Sequence, residues 1–318
     1  VYVPTETREP QFAEQAEQYR RELFTHCYRM LGSPADAEDL VQETYLRAWR
    51  GFGSFEGRSS LRTWLYRIAT RACLDALDST GRRALPSGLG QASDGPVDRL
   101  APALAEPLWL QPLPTGADPA DSAVGRSRTR LAMIAALHTL SARERAAVIL
   151  RDVLEWRSAE VAAALDTSTA AVNSALQRAR ARLAEVGAVE DEITEPADPT
   201  SRAALDRYVD AFHSADMDGL VGLLRHDVVL EMPPVPTWFA GRDRVGASLR
   251  SRVRAPGQWS LRRTEANDQP AAAAWLRDAS GVQRPHGIHV LTVTGTGIAR
   301  ITVFRSPHLL ERFGFPEK

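Results

Sequence analysis

From Val172 to Leu183 the chain places apolar residues at spacings of four, three and four: Val172, Leu176, Ala179 and Leu183. That period predicts a helix with a single packing face. Asn173, Gln177 and Arg180 recur on another face at i, i+4 and i+7, flanked by Ser174 and Arg178. A shorter helix is predicted before it, from about Ser158 to Leu165, with Val161, Ala162 and Leu165 turned inward. The turn between them is Asp166-Thr167-Ser168. Asp166 tolerates a left-handed backbone better than most residues, and Ser168 is placed to cap the second helix. Two such helices, with Asn, Gln, Ser and Arg opposite the packing face, predict a helix-turn-helix whose second helix enters a major groove. An ordinary helical hairpin with a solvated arginine face fits the same period. Local charge separates the two, because residues 126–186 hold ten Arg against six acids, and positive charge attracts phosphates.

A second helical segment lies at residues 33–80. Ser33-Pro34-Ala35-Asp36 is a helix start, with a capping hydroxyl, Pro in the first turn and an acid near the positive dipole end. Ala37, Leu40, Val41, Thr44 and Ala48 form the predicted inner face of this helix. Asp36, Asp39, Glu43 and Arg47 project elsewhere, as an ordinary solvated face would. The glycine-rich stretch 51–57 leads to a helix carrying Arg58, Arg62, Arg67 and Arg71 without an acid. Trp64 and Tyr66 are interleaved with those arginines. Cations hold a phosphate backbone and aromatic rings stack on unpaired bases, so single-stranded nucleic acid is the expected partner. The competing reading makes Trp64 and Tyr66 core aromatics beside Leu61, Leu65 and Ile68.

The last third changes period. Leu205, Tyr208, Val209 and Phe212 make one helical stripe, and Met217, Leu220, Val221 and Leu224 a second. Alternation follows at Val228, Leu230 and Met232, at Val290 and Thr292, and at Ile301 and Val303. Helices followed by an antiparallel sheet predict an α+β cone. Asp227, Glu231, His286 and His289 are its candidate acid–base groups, with Trp238 and Trp275 as expected pocket walls. No acid–base pair stands out by spacing, and the protein is not expected to be an enzyme.

Two connecting segments separate these parts. Residues 81–125 hold seven prolines and cannot form a long helix. The apolar run Leu108-Trp109-Leu110-Gln111-Pro112-Leu113-Pro114 inside them is expected to pack on the flanking helical domains. Residues 188–200 are rich in acids and read as a solvated hinge. The expected division is therefore 1–80, the linker 81–125, 126–187, the linker 188–200, and 201–318.

Composition narrows the classes. At 318 residues, 44% hydrophobic and 25% charged, the chain is that of a multidomain globular protein. No apolar run approaches the roughly 18–20 residues that span a membrane, and no secretory pattern precedes Phe12, so a cytoplasmic location is expected. Only Cys27 and Cys73 occur, read as buried small hydrophobes, and His26 beside Cys27 lacks further ligands at metal spacing. No cofactor or metal is expected. A net charge of −1 predicts weak binding to free DNA and favours a reader that works beside a basic partner.

Four motifs in order carry a resemblance: Asp36-Ala-Glu-Asp-Leu-Val-Gln-Glu-Thr, Ser59-Ser-Leu-Arg-Thr-Trp-Leu-Tyr-Arg-Ile-Ala, Leu140-Ser-Ala-Arg-Glu-Arg and Val172-Asn-Ser-Ala-Leu-Gln-Arg-Ala-Arg. Residues 12–186 resemble the extracytoplasmic-function sigma factors of bacteria, small sigma-70-type subunits of RNA polymerase. The stretch from Tyr208 through Met232-Pro233-Pro234 to Gly241 resembles the SnoaL-like branch of the NTF2-like fold, as in the SigG-like group of these factors. The fold implied is two all-α sigma domains, a region-2 bundle and a region-4 helix-turn-helix, followed by the α+β cone.

The resemblance implies roles residue by residue. Asp39, Leu40, Gln42, Glu43 and Arg47 match the surface that docks on the β′ clamp helices of core RNA polymerase; the β flap is the other expected contact. Arg58, Ser59, Ser60, Arg62, Thr63, Trp64, Arg67 and Arg71 match the part that opens and reads the −10 element as a single strand. Thr169, Asn173, Ser174, Gln177, Arg178 and Arg180 match the −35 reader. Arg71 stands where many members have Asn, and Asn173 and Ala175 where many have Arg, so promoter sequence does not transfer. The 81–125 linker is expected to run through the active-site cleft and RNA exit channel. No separate anti-sigma factor is evident, and the fused domain is the candidate for that regulatory role. A one-component regulator sensing a ligand in the C-terminal cup is the alternative.

Overall fold

The computed structural model describes residues 8–57, 59–80, 83–105, 109–115, 130–187, 193–194 and 198–315. They fall into two compact units. The first takes residues up to 83 and 133–186; the second takes 84–116, 130–132 and residues from 187 onward.

The first unit is helical: α1 (Arg8–Glu17), α2 (Arg20–Leu31), α3 (Pro34–Gly51), α4 (Leu61–Thr80), α5 (Leu131–Leu137) from residue 133 on, α6 (Ala142–Val148), α7 (Ser158–Ala164) and α8 (Thr169–Gly187) up to residue 186. Gly32 ends α2 in the left-handed region at φ 70°, and its N–H returns to Tyr28 O at 2.7 Å. Ser33 then caps α3, its hydroxyl accepting from Asp36 N at 3.3 Å, with Pro34 in the first turn. Ala37, Val41, Thr44 and Ala48 of α3 are buried as their spacing predicts, whereas Leu40 sits at the edge of that face. Cys27 and Cys73 are free and buried, and burial followed by the neighbouring Cys27 pushes the Cys73 thiol up. His26 bonds Thr70 Oγ1 at 2.9 Å, and no cluster of three metal-ligating side chains occurs among the described residues.

Helix α6 opens on a capping box between Ser141 and Glu144. Arg145, only 1% exposed, sends Nε to Leu137 O at 3.0 Å and Nη1 to Met30 O in α2. Tyr66 of α4 meets Trp156 edge-on, with centroids 6.2 Å apart. The two predicted helical domains therefore share one packed unit.

In the second unit a six-stranded sheet runs in the order β2-β1-β6-β5-β4-β3. Its strands are β1 (Leu224–Met232), β2 (Val235–Ala240), β3 (Trp259–Ala266), β4 (Gln269–Arg277), β5 (Gln283–Thr294) and β6 (Gly297–Phe304). Only β1 and β6 pair in parallel; the other neighbours are antiparallel. Asn267 and Asp268, at φ 53° and 52°, make the two-residue hairpin between β3 and β4. Helices α9 (Pro199–Ser214), α10 (Met217–Gly222) and α11 (Arg242–Arg252) share a core with one sheet face through Tyr208, Phe212, Leu220, Leu230, Phe239 and Leu249. A short α12 (Leu309–Arg312) follows the sheet. The predicted second stripe is cut short, because Leu224 opens β1 instead of closing α10.

Of the proline-rich linker, residues 84–105 and 109–115 belong to this second unit. Ser87 donates to Glu231, Ser93 N to Trp238 O at 2.8 Å, Ala101 N to Thr237 Oγ1 at 2.9 Å and Leu104 N to Pro234 O at 2.8 Å. Donors from β2 and α11 bond back to the linker, with Trp238 Nε1 on Gly90 O at 3.1 Å and Arg244 Nη2 on Ser93 O at 2.8 Å. The apolar run was expected on the helical domains. Instead Leu113 is tied to the β3–β4 hairpin, Leu113 N to Asn267 Oδ1 at 2.9 Å and Asn267 N to Leu113 O at 2.7 Å. A left-handed hairpin turns Asn267 backbone and side chain toward a passing strand, which apolar content does not foretell. Leu108 lies outside the described residues.

Candidate functional site

The second helix of the helix-turn-helix separates two rows of side chains as its period requires. Val172, Leu176 and Ala179 are buried, while Thr169, Asn173, Ser174, Gln177, Arg178 and Arg180 are exposed. Asp166 takes the left-handed conformation at φ 52°, and Ser168 Oγ accepts from Ala171 N at 3.2 Å. Asn173 Oδ1 accepts from Ser158 Oγ at 3.2 Å, which orients the amide from the preceding helix. The arginines are held in ion pairs: Arg180 with Asp152 at 2.6 Å, Arg178 with Glu144 at 3.1 Å and Arg182 with Glu144 at 3.7 Å. Burial opposes the Glu144 charge, but hydrogen bonds from Ser141 and then Arg178 hold its carboxyl below the usual range. The Arg180–Asp152 pair is largely exposed, and such pairs stabilise by ~0–1 kcal/mol, so a phosphate can take over that guanidinium at little cost; Glu144 is buried and keeps its Ser141 hydrogen bonds.

The predicted single-strand reader divides between surface and core. Ser60 caps α4, accepting from Thr63 N at 3.1 Å. Arg67 and Arg71 are exposed along that helix, and Ser59 is half-buried. Arg62 pairs with Glu22 at 2.7 Å and stacks over the Tyr66 ring at 5.0 Å. Trp64 is half-buried in an aromatic cluster, 4.9 Å from Phe55 and 6.4 Å from Phe52 between centroids. Tyr66 is buried, its hydroxyl donating to Glu22 at 3.2 Å; it is a core aromatic and offers no face to a base. Arg58 lies outside the described residues.

On α3, Asp39, Gln42 and Arg47 are exposed, and Leu40 and Glu43 half-buried. Arg47 bridges Glu43 at 2.8 Å and Asp75 at 3.1 Å. Two residues of this face escaped the sequence reading: Leu46 and Trp49, each 50% exposed. With Gln42 they line a groove of about 410 Å³ that Phe12, Ala16 and Tyr45 complete. The signal was present, since 42, 46 and 49 share one helical face with Asp39.

In the second unit a cavity of about 330 Å³ opens between α9, α11 and the sheet. His286 and His289 line it as expected. They sit on β5 three residues apart, and strict alternation would send one to each face. A bulge resolves this: Ala274 pairs with Gly287 but Trp275 with Pro285, so His286 is the extra residue and turns inward. Gly287 permits the approach, because a Cβ there would stand 1.8 Å from Phe304 O. Burial lowers both imidazoles, His286 to about 4 with help from Arg305, and His289 to about 3 with help from His286.

Trp238 and Trp275 do not line the cavity. Phe239 and Ala274 face the core, so their neighbours point to the other side of the sheet. Trp238 bonds the linker, and Trp275 meets Phe315 edge-on with centroids 5.7 Å apart and carries Arg262 over its ring at 5.2 Å. The wall is Trp259, its ring 4.8 Å from His286. Asp227 is exposed and paired with Arg225 at 2.9 Å. Glu231 is 0% exposed and lies beneath the linker, receiving Ser87 Oγ at 2.9 Å, Arg300 at 2.7 Å and Thr302 Oγ1 at 3.1 Å. Among the described residues no carboxylate lines the cavity.

Comparison with known proteins agrees with these parts. Residues 16–83 match the model of sigma-70 region 2, residues 130–183 that of sigma-70 region 4, and residues 205–303 that of the SnoaL-like domain. The chain is 45% identical over 321 aligned residues to the ECF RNA polymerase sigma factor SigG of Mycobacterium tuberculosis, covering 99% of this chain and 86% of that one. It is 32% identical to SigJ of the same organism over 67% of this chain and 62% of SigJ. The crystal structure of M. tuberculosis SigJ superposes with a TM-score of 0.65 at 23% identity, over 96% of this chain and 100% of SigJ, a likeness of fold. No described helix is long and apolar enough to cross a membrane.

Proposed function

Because the chain belongs to the extracytoplasmic-function family of RNA polymerase sigma factors, we propose that it directs core polymerase to promoters under the control of its own C-terminal domain. In this reading the exposed face of α3, from Asp39 to Trp49, docks on the polymerase β′ clamp helices, and region 4 meets the β flap. Arg67 and Arg71, with Ser59, Ser60, Arg62, Thr63 and the half-buried Trp64, hold the opened −10 strand; Arg58 is assigned with them from sequence. Asn173, Ser174 and Gln177 meet base edges of the −35 element, while Arg178 and Arg180 exchange their carboxylate partners for phosphates. The protein makes no bond itself; its work is recognition and strand opening in the cytoplasm.

One observation carries the regulatory part. Linker residues Ser87, Gly90, Ser93 and Leu113 are hydrogen-bonded to the C-terminal domain through Glu231, Trp238, Arg244 and Asn267. A linker held there cannot also thread a polymerase channel, so the bound linker is the restrained state. The C-terminal domain then stands in for a separate anti-sigma partner.

Run-off transcription with bacterial core polymerase, on promoters selected from a random library, tests the assignment. Initiation that requires both core enzyme and this chain supports it. Sequence-specific binding to free duplex without initiation favours a one-component regulator instead.

A further inference from the structure

The cavity of the second unit holds more than a fold-level hollow. Its body is apolar, walled by Phe212, Leu230, Leu249 and Trp259. Leu100 of the linker contributes to the lining. Among the described residues its charged groups carry one sign: Arg252, Arg254 and Arg305 line it, and no acid does. Arg252 and Arg254 are partly spent on their own chain, Arg252 Nη1 on Ser248 O at 2.6 Å and Arg254 Nε on Ser251 O at 2.8 Å. The Arg305 guanidinium has no hydrogen-bond acceptor among the described residues.

The floor is polar and incomplete. His289 is 2% exposed; its Nδ1 is 2.9 Å from Tyr208 Oη, but its Nε2 is buried without a partner. His286 Nδ1 is likewise buried and unpartnered. Buried polar atoms are nearly always satisfied, and two orphans in one apolar cavity mark where a guest's polar group belongs.

We propose that this cavity binds a small amphipathic anion. Its ring or chain fills the apolar body, a neutral polar group meets His289 Nε2, and its carboxylate or sulfonate rests on Arg305 at the rim. Both imidazoles stay uncharged at neutral pH, so the charged end is attracted to the arginines and the floor selects a neutral donor or acceptor. The anion also competes for Arg252, whose Nη2 otherwise donates to Val97 O of the linker at 3.0 Å. That last consequence, an occupant that loosens the linker, rests on the regulatory reading above; the binding itself does not.

The test uses the full chain alone and two fluorescent probes with the same aromatic body, anilinonaphthalene sulfonate and uncharged phenylnaphthylamine. The sulfonate should bind one site, saturably and at least tenfold more tightly than the amine. Arg305→Gln should weaken the sulfonate about tenfold or more and leave the amine unchanged. Val303→Trp, which fills the cavity, should remove both. Equal affinity for the two probes, sulfonate binding untouched by Arg305→Gln, or no saturable binding of either would overturn the proposal. Because polymerase is absent, failure here is separate from failure of the regulatory reading.

Discussion

Arg145 of α6 donates from Nη1 to the carbonyl oxygen of Met30 in α2. The same guanidinium serves Leu137 O and, at 3.4 Å, Leu140 O, so one buried cation completes the ends of two helical segments and joins the two helical domains. Arg145→Met keeps the volume but strands those carbonyls. Unfolding by urea should show a loss of roughly 3 kcal/mol. An unchanged midpoint would refute the role given to Arg145.

In the proposed reading the exposed row of α8 divides into Asn173, Ser174 and Gln177, which meet base edges, and Arg178 and Arg180, which meet phosphates. Gln177→Ala should lose about 1–3 kcal/mol of discrimination at one −35 position. Arg178→Ala should weaken all promoters alike and lower the salt dependence of binding by about one phosphate. Selection of promoters by holoenzyme carrying each variant distinguishes the two; a uniform effect of Gln177→Ala would demote it to a positioning contact.

Leu46 and Trp49 are large apolar side chains left half in water beside Asp39. Leu46→Glu with Trp49→Glu should reduce affinity for core polymerase by tenfold or more in a fluorescence titration, with the melting temperature unchanged. Retained affinity would remove this groove from the polymerase contact.

His26 is buried, and burial followed by Arg29 lowers its pKa from 6.5 to about 3. An unfolded imidazole takes a proton near pH 6.5, while the folded one resists until far lower. Its contribution is therefore complete above pH 6.5 and fades as pH falls toward 3. From pH 7 to 5 this loss is about 2 kcal/mol for each such histidine. His26→Gln should flatten the fall in thermal stability over that range; an unaltered slope would contradict the assignment.

Much of the helical part was legible because an amphipathic helix writes its packing face every third or fourth residue. Ser33, Val172, Leu176 and Asp166 all take the places their local chemistry predicts. The sheet was less legible for definite reasons. β5 is buried on both faces from Gly287 to Thr294, so Val290 and Thr292 did not reveal that Leu291 and Val293 face the helices. The bulge at His286 shifts parity without a periodic signal, and Trp238 and Trp275 fall on the opposite face for that same dependence on parity. Tyr66 looked like a stacking surface until Glu22, distant in sequence, accounted for its hydroxyl. The linker was hardest: its partners Glu231 and Asn267 lie about 150 residues downstream and share no pattern with it.

The central claim is that the C-terminal domain restrains transcription by holding the linker. The direct measurement is run-off transcription by core polymerase with the full chain carrying Trp238→Ala, Arg244→Ala and Asn267→Gly together. These changes remove linker bonds at Gly90, Ser93 and Leu113, and glycine keeps the left-handed turn at residue 267. The account predicts severalfold more transcript than the parent chain at equal concentration. Unchanged or reduced transcript, with the variant folded and bound to core, would contradict it.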